Sequence, residues 1–133
     1  MGLGFVDGII INPRDPRTVY VAGFVQRDFG EPYGAETNIV LRSTDGGVTF
    51  TPADAGLSGT FSAIAIDPAE PDRLFVLCST GLFRTEDGGT NWSPLDPGGV
   101  TRLHNPGGLK INPKQPKLIY LGGASLLEVE IRN

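Results

Sequence analysis

One short pattern recurs three times along the chain and limits the folds that it can adopt. Each copy is an Ile-Asn-Pro or Ile-Asp-Pro tripeptide, a second proline three residues after the first, and then an apolar run. The copies begin at Ile11, Ile66 and Ile111, with offsets of 55 and 45 residues. A second signature, Ser/Thr-x-Asp-Gly-Gly-x-x-aromatic, begins at Ser43 and again at Thr85, 42 residues later. Repeats of this length indicate supersecondary units that stack on one another.

Each repeat predicts four short strands, because runs of β-branched and aromatic residues alternate with turns rich in Gly, Pro, Asn and Asp. The predicted strands are 8–11, 18–25, 38–43 and 48–52, then 61–66, 73–78, 82–85 and 91–94, and finally 108–111, 117–121 and 126–131. Continuous apolar runs at 9–11 and 74–77 predict strands covered on both faces. Four-stranded units of about 40 to 50 residues are typical of propeller blades. We therefore predict an all-β chain of about three antiparallel β-propeller blades, the last incomplete, within one partial domain over 1–133: blade 1 about 5–54, blade 2 about 60–96 and blade 3 about 104–133.

The second signature resembles a known family repeat. Its first copy, Ser43-x-Asp45-x-Gly47-x-Thr49-Phe50, is similar to the Asp-box, or BNR, repeat of sialidases, sortilin-type receptors, xyloglucan-degrading hydrolases and photosystem II assembly-factor propellers. The second copy is looser, with Thr85, Asp87, Gly89, Asn91 and Trp92 at the same spacing. The third repeat lacks the motif, since Ile131 stands where the aspartate is expected.

The residues of this motif are suited to holding a tight turn. An aspartate at the start of a turn accepts backbone N–H bonds, and paired glycines allow positive φ. The terminal Phe50 or Trp92 then buries its ring against the next strand. The resemblance implies that Asp45 and Asp87 are structural and lie away from the ligand face. Calcium binding is the alternative, although the loop lacks the spaced oxygen ligands of known calcium sites, and we expect no metal and no cofactor.

The first repeat carries about 13 more residues between its second and third strands than the second repeat does. This insertion, residues 26–37, and the long connection 93–107 are expected on the face opposite the Asp-boxes, which the resemblance implies is the ligand face. Charged and aromatic side chains there could contact a sugar, a peptide or a protein: Arg27, Asp28, Phe29, Glu31, Tyr33, Glu36, Asp96, Arg102 and His104. The alternatives are a solvated loop or a subunit contact, and for His104 a surface residue without a metal.

Composition excludes several classes of function. The net charge of −4 and the pI near 4.8 provide no electrostatic footprint for nucleic acid. The sequence has no apolar run of the roughly 20 residues that membrane insertion requires. Cys78, the single cysteine, is predicted to be a buried small hydrophobe and not a disulfide partner or a catalytic thiol.

Two functions remain for the chain. The first is a noncatalytic Asp-box module for binding or assembly, with a glycan or protein partner. The second is a glycoside hydrolase related to the xyloglucanases, in which Asp28 with Glu31 or Glu36 supplies the two carboxylates that the reaction needs. Sialidase activity is not expected, because no arginine-bearing sialidase signature precedes the boxes.

Eleven predicted strands are too few for a closed propeller of four to eight blades. The first and last blades are therefore expected to expose apolar flanks that need cover. Either other blades of a longer chain provide it, or copies associate, with a dimer completing a six-bladed ring. The resembling families are largely extracytoplasmic, although residues 1–6 do not form a signal peptide.

Overall fold

The computed structural model describes residues 2–26, 36–57, 61–78, 81–95, 108–122 and 126–130, which form eleven strands in three antiparallel sheets. We call these sheets blades 1, 2 and 3. Blade 1 contains β1 (Gly2–Ile11), β2 (Val19–Gln26), β3 (Glu36–Ser43) and β4 (Thr51–Pro52), blade 2 contains β5 (Phe61–Ile66), β6 (Leu74–Cys78), β7 (Gly81–Thr85) and β8 (Ser93–Leu95), and blade 3 contains β9 (Gly108–Ile111), β10 (Leu118–Gly122) and β11 (Leu126–Glu130). Each sheet is an up-and-down meander in chain order. The predicted all-β class, with two four-stranded units and an incomplete third, is confirmed.

The proline-rich turn that precedes the second strand of each blade has the same hydrogen bonds in all three copies. The side-chain oxygen of Asn12, Asp67 or Asn112 accepts two backbone N–H bonds from the residues that follow it. The backbone N–H of the same residue donates to the carbonyl six residues later, as in Asn12 to Thr18 and Asn112 to Leu118. This pattern is an Asx turn, in which a short side chain replaces a backbone acceptor. It also fixes which residues of the three blades are equivalent.

Several strand ends differ from the prediction for a physical reason. Strand β4 begins at Thr51 instead of 48, because the backbone N–H groups of Val48 and Thr49 donate to Asp45 and are not available to a sheet. Strand β8 begins at Ser93 instead of 91, because the N–H of Asn91 donates to Asp87. The prediction that these turn residues are extended strand was wrong.

Two other strands are longer than predicted. Strand β1 continues back to Gly2 through two register shifts against β2, and β3 begins at Glu36, which pairs with Gln26. Glu36 and Thr37, predicted to lie in an inserted loop, therefore belong to the sheet backbone.

Blade 2 is covered on both faces, as its apolar sequence predicted. All five residues of β6 are buried. Leu74, Val76 and Cys78 pack with residues of blade 1, whereas Phe75 and Leu77 pack with residues of blade 3. The alternation places the two core clusters on opposite faces of one strand. Burial raises the pKa of the Cys78 thiol to about 11, so this cysteine remains a protonated, apolar packing residue, as predicted.

The outer flanks of the array differ from each other. Ile9 and Ile11 of blade 1 are 66% and 58% exposed, so the prediction that residues 9–11 are covered on both faces was wrong: in the described part of the chain no sheet packs on that side. The expectation of an apolar last flank was also wrong, since Lys110, Glu128 and Glu130 are exposed there. Within the described ranges, no helix has the length and apolar character that a membrane span requires.

Candidate functional site

The first Asp-box is a closed hydrogen-bonded turn around Asp45. Ser43 Oγ donates to Asp45 Oδ1 at 2.7 Å and accepts the Gly47 N–H at 2.8 Å. Asp45 Oδ1 also accepts the backbone N–H groups of Val48 and Thr49, at 3.1 and 2.9 Å, and the Thr49 hydroxyl donates to Asp45 Oδ2. Gly47 has a φ of 92°, in the left-handed region that favours glycine. Ser43, Asp45, Gly47 and Thr49 therefore each make a hydrogen bond inside the turn.

The second box keeps this arrangement with different donors. Thr85 Oγ1 donates to Asp87 Oδ1 at 2.7 Å and accepts the Gly89 N–H at 3.0 Å. Asn91 donates to Asp87 twice, from its backbone N–H at 2.9 Å and from its side-chain Nδ2 at 3.2 Å. The looser copy of the sequence motif thus forms the same turn. Thr85 provides the hydroxyl that Ser43 provides in the first box, and the side-chain amide of Asn91 replaces the hydroxyl of Thr49.

These hydrogen bonds stabilise the charged form of both aspartates. The Thr49 side chain, followed by the Thr49 backbone N–H and the Ser43 hydroxyl, holds the pKa of Asp45 well below its usual range. The Thr85 side chain is the largest contribution for Asp87 and, with the Asn91 N–H, lowers its pKa to about 2. Both carboxylates are ionised at neutral pH and are not proton donors for general acid catalysis.

The second Asp-box also forms part of the joint between blades 1 and 2. The Gly88 carbonyl accepts hydrogen bonds from the Tyr20 hydroxyl at 3.0 Å and from Arg42 Nη1 at 3.3 Å. Trp92, which is 4% exposed, donates its indole N–H to the Ala53 carbonyl at 2.7 Å. The same motif that closes a turn in blade 2 therefore holds that turn against blade 1.

The first Asp-box has the same internal bonds but lies open. Phe50, at the position of Trp92, is 38% exposed, and Val48 is 82% exposed. Gly46 and Gly47 are exposed, whereas their counterparts Gly88 and Gly89 are buried. The two copies thus provide a direct comparison between an occupied blade joint and an open one.

The blade 1 residues that contact the second box were not predicted from the sequence. Tyr20 lies in an apolar strand and reads as an ordinary core residue, and Arg42 precedes the motif without belonging to it. The signal that was available is chemical: a tyrosine inside a buried strand needs a partner for its hydroxyl. Burial raises the pKa of Tyr20, so its hydroxyl remains a donor.

Most residues predicted for the ligand face lie outside the described residues: Arg27, Asp28, Phe29, Glu31, Tyr33, Asp96, Arg102 and His104. Glu36 is the first residue of β3. The described strand ends that flank the two long segments, at Gln26, Glu36, Leu95 and Gly108, lie at the ends of the sheets opposite the proline turns and Asp-boxes. Among the described residues there is no group of three or more His, Cys, Asp or Glu side chains able to hold a metal ion.

Comparison with known proteins supports the fold. No family model matches the chain. It is 33% identical over 114 residues to the xyloglucanase Xgh74A of Acetivibrio thermocellus, a match that covers 76% of this chain and 13% of the enzyme. The structure is similar to the GH74 xyloglucanase of Xanthomonas campestris, with a TM-score of 0.74 and 21% identity over 94% of this chain and 22% of that one. The GH74 enzyme of Niastella koreensis has a TM-score of 0.70 and 21% identity over 94% of this chain and 21% of that one. The chain is a partial β-propeller that spans about an eighth of the curated relative.

Proposed function

We propose that this chain is a noncatalytic Asp-box propeller module that binds a glycan or a protein through the face bearing segments 27–35 and 96–107. The observation that carries the proposal is topological: the strands on either side of both long segments end on one face, opposite the Asp-boxes. The first segment contains two aromatic residues, Phe29 and Tyr33, preceded by the charged Arg27 and Asp28, and these residue types suit a sugar ring and its hydroxyls. Since the curated relative is a xyloglucanase, xyloglucan is the first ligand to test.

The chemistry of three described turn aspartates supports the noncatalytic assignment. Glycoside hydrolysis generally requires one carboxyl group that holds a proton and a second one about 5 to 10 Å away. Asp45 and Asp87 are ionised and bonded within their turns. Asp67 is buried, accepts two backbone N–H bonds and lies 3.6 Å from Arg73. Each of these three aspartate side chains accepts the hydrogen bonds that stabilise a turn.

Glycoside hydrolysis is the second candidate function, and the 33% identity to a xyloglucanase favours it. Asp28 with Glu31 or Glu36 is the carboxylate pair that it would use. The chain spans 13% of that enzyme, and a cleft formed between two domains would need the remainder. We also propose the extracytoplasmic location that the family resemblance implies.

Binding and hydrolysis can be measured on the same samples. We expect xyloglucan to bind saturably in titration calorimetry without release of reducing ends, and Phe29→Ala combined with Tyr33→Ala to weaken binding at least tenfold. Lys114→Ala, an exposed change in a turn on the opposite face, is the control and should leave binding unchanged. Reducing ends that are released by the wild type and not by Asp28→Asn would establish the hydrolase instead. Failure to bind xyloglucan and related polysaccharides would leave only the protein partner of this proposal.

A further inference from the structure

We propose that two copies of this chain associate head to tail, with the outer face of blade 3 of one copy docking on the open flank of blade 1 of the other. The first flank is formed by Ile9, Ile11, Val19, Val21, Leu41 and the first Asp-box. The last flank is formed by Lys110, Leu118, Tyr120, Glu128 and Glu130. Docking of this kind requires no ligand, and it is separate from the binding proposed above.

The first flank repeats the surface by which blade 2 receives blade 1. Ile64, Ile66, Leu74, Val76 and Phe83 of blade 2 belong to the core cluster shared with blade 1. Their repeat equivalents in blade 1 are the five apolar residues of the first flank, because the proline turns and the two Asp-boxes align the blades at offsets of 55 and 42 residues. The pairing of Ile9 with Val21 and of Val21 with Leu41 places these three in one row across the sheet. The surface is therefore shaped to receive a blade.

The Asp-box of the first flank has the same backbone arrangement as the Asp-box of blade 2, which contacts blade 1. The Gly46 N–H donates to the Arg17 carbonyl, just as the Gly88 N–H donates to the Asp72 carbonyl. Gly46 is therefore the counterpart of Gly88, whose carbonyl accepts the Tyr20 hydroxyl and the Arg42 guanidinium across the joint. A partner of the first flank must bring a donor to the Gly46 carbonyl and cover the exposed ring of Phe50.

Blade 3 presents a tyrosine at the required place. The proline turns of blades 1 and 3 are bonded identically, so Tyr120 is equivalent to Tyr20. Each tyrosine lies on the second strand of its blade: Tyr20 pairs with Ile10 and Arg42, and Tyr120 pairs with Lys110 and Glu128. On a second copy, the Tyr120 hydroxyl can therefore donate to the Gly46 carbonyl in the way that Tyr20 donates to Gly88.

The charges at this joint are exchanged between its two sides. At the joint inside the chain, Arg42 and Asp72 flank Gly88: a Cβ built there would lie 3.2 Å from Arg42 Nη1 and 3.6 Å from Asp72 Oδ1. At the joint between copies, Glu128 replaces Arg42 and Arg17 replaces Asp72. The pair Arg42 and Asp72 inside the chain is therefore replaced by the pair Glu128 and Arg17 between copies, and the charges on the two sides of the joint remain opposite. Lys110, at the position of Ile10, can lay its aliphatic stem over the isoleucines with its ammonium in water.

This exchange of charge favours a second copy over other occupants of the first flank. A blade with arginine at the Arg42 position, such as blade 1 itself, would place that arginine beside Arg17. Flank-to-flank docking of two first blades would bring no tyrosine to the Gly46 carbonyl, because the first flank contains none. A head-to-tail contact made twice closes a ring, and two copies supply six blades, within the usual range for propellers.

The test is a charge reversal on the whole 133-residue chain, followed by light scattering and sedimentation from low to high micromolar concentration. We expect the wild type to reach twice the chain mass of 14.1 kDa. Arg17→Glu and Glu128→Arg should each raise the dissociation constant about three- to tenfold, as expected for surface charge pairs placed in repulsion, and the double variant should restore it. Arg14→Glu, the same change elsewhere in the Arg17 turn, is the matched control; its blade 2 counterpart, Ala69, is exposed.

The possible results separate clearly. Arg17 and Glu128 are exposed, so each variant should retain the circular dichroism of the wild type, and a change in mass then reports on association. A wild-type chain that is monomeric at every concentration overturns the proposal and assigns the first flank to a different occupant, such as a blade of another polypeptide or of a longer chain. Two single variants that weaken association without rescue by the double variant, or a species larger than two copies, also overturn it.

Discussion

Phe50 and Trp92 occupy the same position of the Asp-box motif in two different environments, and the contrast between them shows what a blade joint requires. Trp92 is buried, and its indole N–H bonds to the Ala53 carbonyl, whereas the ring of Phe50 is partly exposed. The internal bonds of the two turns are alike, so the difference comes from the neighbouring blade. An Asp-box aromatic therefore stabilises a propeller only when another blade lies against it.

Replacing Trp92 should reveal this dependence. We expect Trp92→Phe to lower the free energy of unfolding by about 1–3 kcal/mol, because the Ala53 carbonyl loses its donor and stays buried. Urea unfolding followed by far-UV circular dichroism measures this loss, since the variant lacks the only tryptophan. Phe50→Ala is the comparison, and at a concentration where the chain is monomeric it should cost less than about 1 kcal/mol. Equal losses at the two positions would contradict the assignment of Trp92 to the joint.

The two aspartates predict an acid limit to stability. Their pKa values are lower in the folded chain than the ordinary 3.8. The stability that they contribute is therefore present above about pH 4 and is lost as the pH falls toward the folded value, about 2 for Asp87. We expect the thermal midpoint to fall between pH 4 and pH 2, and to fall less steeply in a variant carrying both Asp45→Asn and Asp87→Asn. An unchanged slope would mean that other groups cause the acid loss.

Thr49→Val provides an independent readout of the same effect. The Thr49 side chain is the largest contribution to the lowered pKa of Asp45. Its removal should raise that pKa, which a carboxyl carbon titration by NMR measures directly. The pKa of Asp87, which has its own donors in Thr85 and Asn91, should stay where it is.

Among the strands, β6 is the element on which both core clusters depend. Its residues point alternately to blade 1 and to blade 3, and all five are buried. Strand β2 has the same sequence pattern, yet one of its faces belongs to the first flank. Val76 and Val21 are equivalent in the repeat and differ in burial, so they form a matched pair.

We expect Val76→Ala to lower the free energy of unfolding by about 1–3 kcal/mol, because it removes two buried methyl groups and leaves a cavity. Val21→Ala should cost less than about 1 kcal/mol while the chain is monomeric. Denaturant midpoints measured at low concentration give both values. If the copies associate as proposed, the cost of Val21→Ala should grow with protein concentration while that of Val76→Ala does not.

The elements also show what the sequence can and cannot predict. Spacing of prolines and apolar runs located all three blades, and the continuous run at β6 predicted its complete burial. The sequence pattern gave the wrong starts for β4 and β8. The aspartate of each Asp-box accepts backbone N–H groups that would otherwise pair in the sheet, and residue propensity does not predict this. The sequence pattern also failed for the last flank, where Lys110 lies between Leu109 and Ile111, which pack toward blade 2, and where Glu128 is exposed. The joint around Gly88 depends on residues 46 and 68 positions away in the chain, which the local pattern does not show.

At the scale of the whole molecule, the described strands form a short one-dimensional array, in which blade 1 contacts blade 2 through β1, β2 and β5, and blade 2 contacts blade 3 through β5 and β9. Stability in such arrays is approximately the sum of unit and nearest-neighbour terms. Among the described strands, blade 2 has two neighbouring blades, whereas blades 1 and 3 have one each, and an apolar first flank coexists with a last flank that carries Lys110, Glu128 and Glu130. We therefore expect blade 2 to be the most stable part of the array, and we expect the first and last flanks to differ in the partners that they accept.

Hydrogen exchange measures both properties in one experiment. In the monomer, the amides of β6 should exchange most slowly, because opening them requires loss of both core clusters, and those of β11, at the edge of blade 3, should exchange fastest among the strands. Head-to-tail association adds a neighbour to blades 1 and 3 alone. Raising the concentration should therefore slow exchange in β1 to β3 and in β10 and β11, and leave β6 unchanged up to the limit of global unfolding. Protection that rises equally in all strands would indicate a general stabilisation and not a contact between the first and last flanks. Arg17→Glu should shift only the concentration-dependent part of the protection, to about three- to tenfold higher protein concentration.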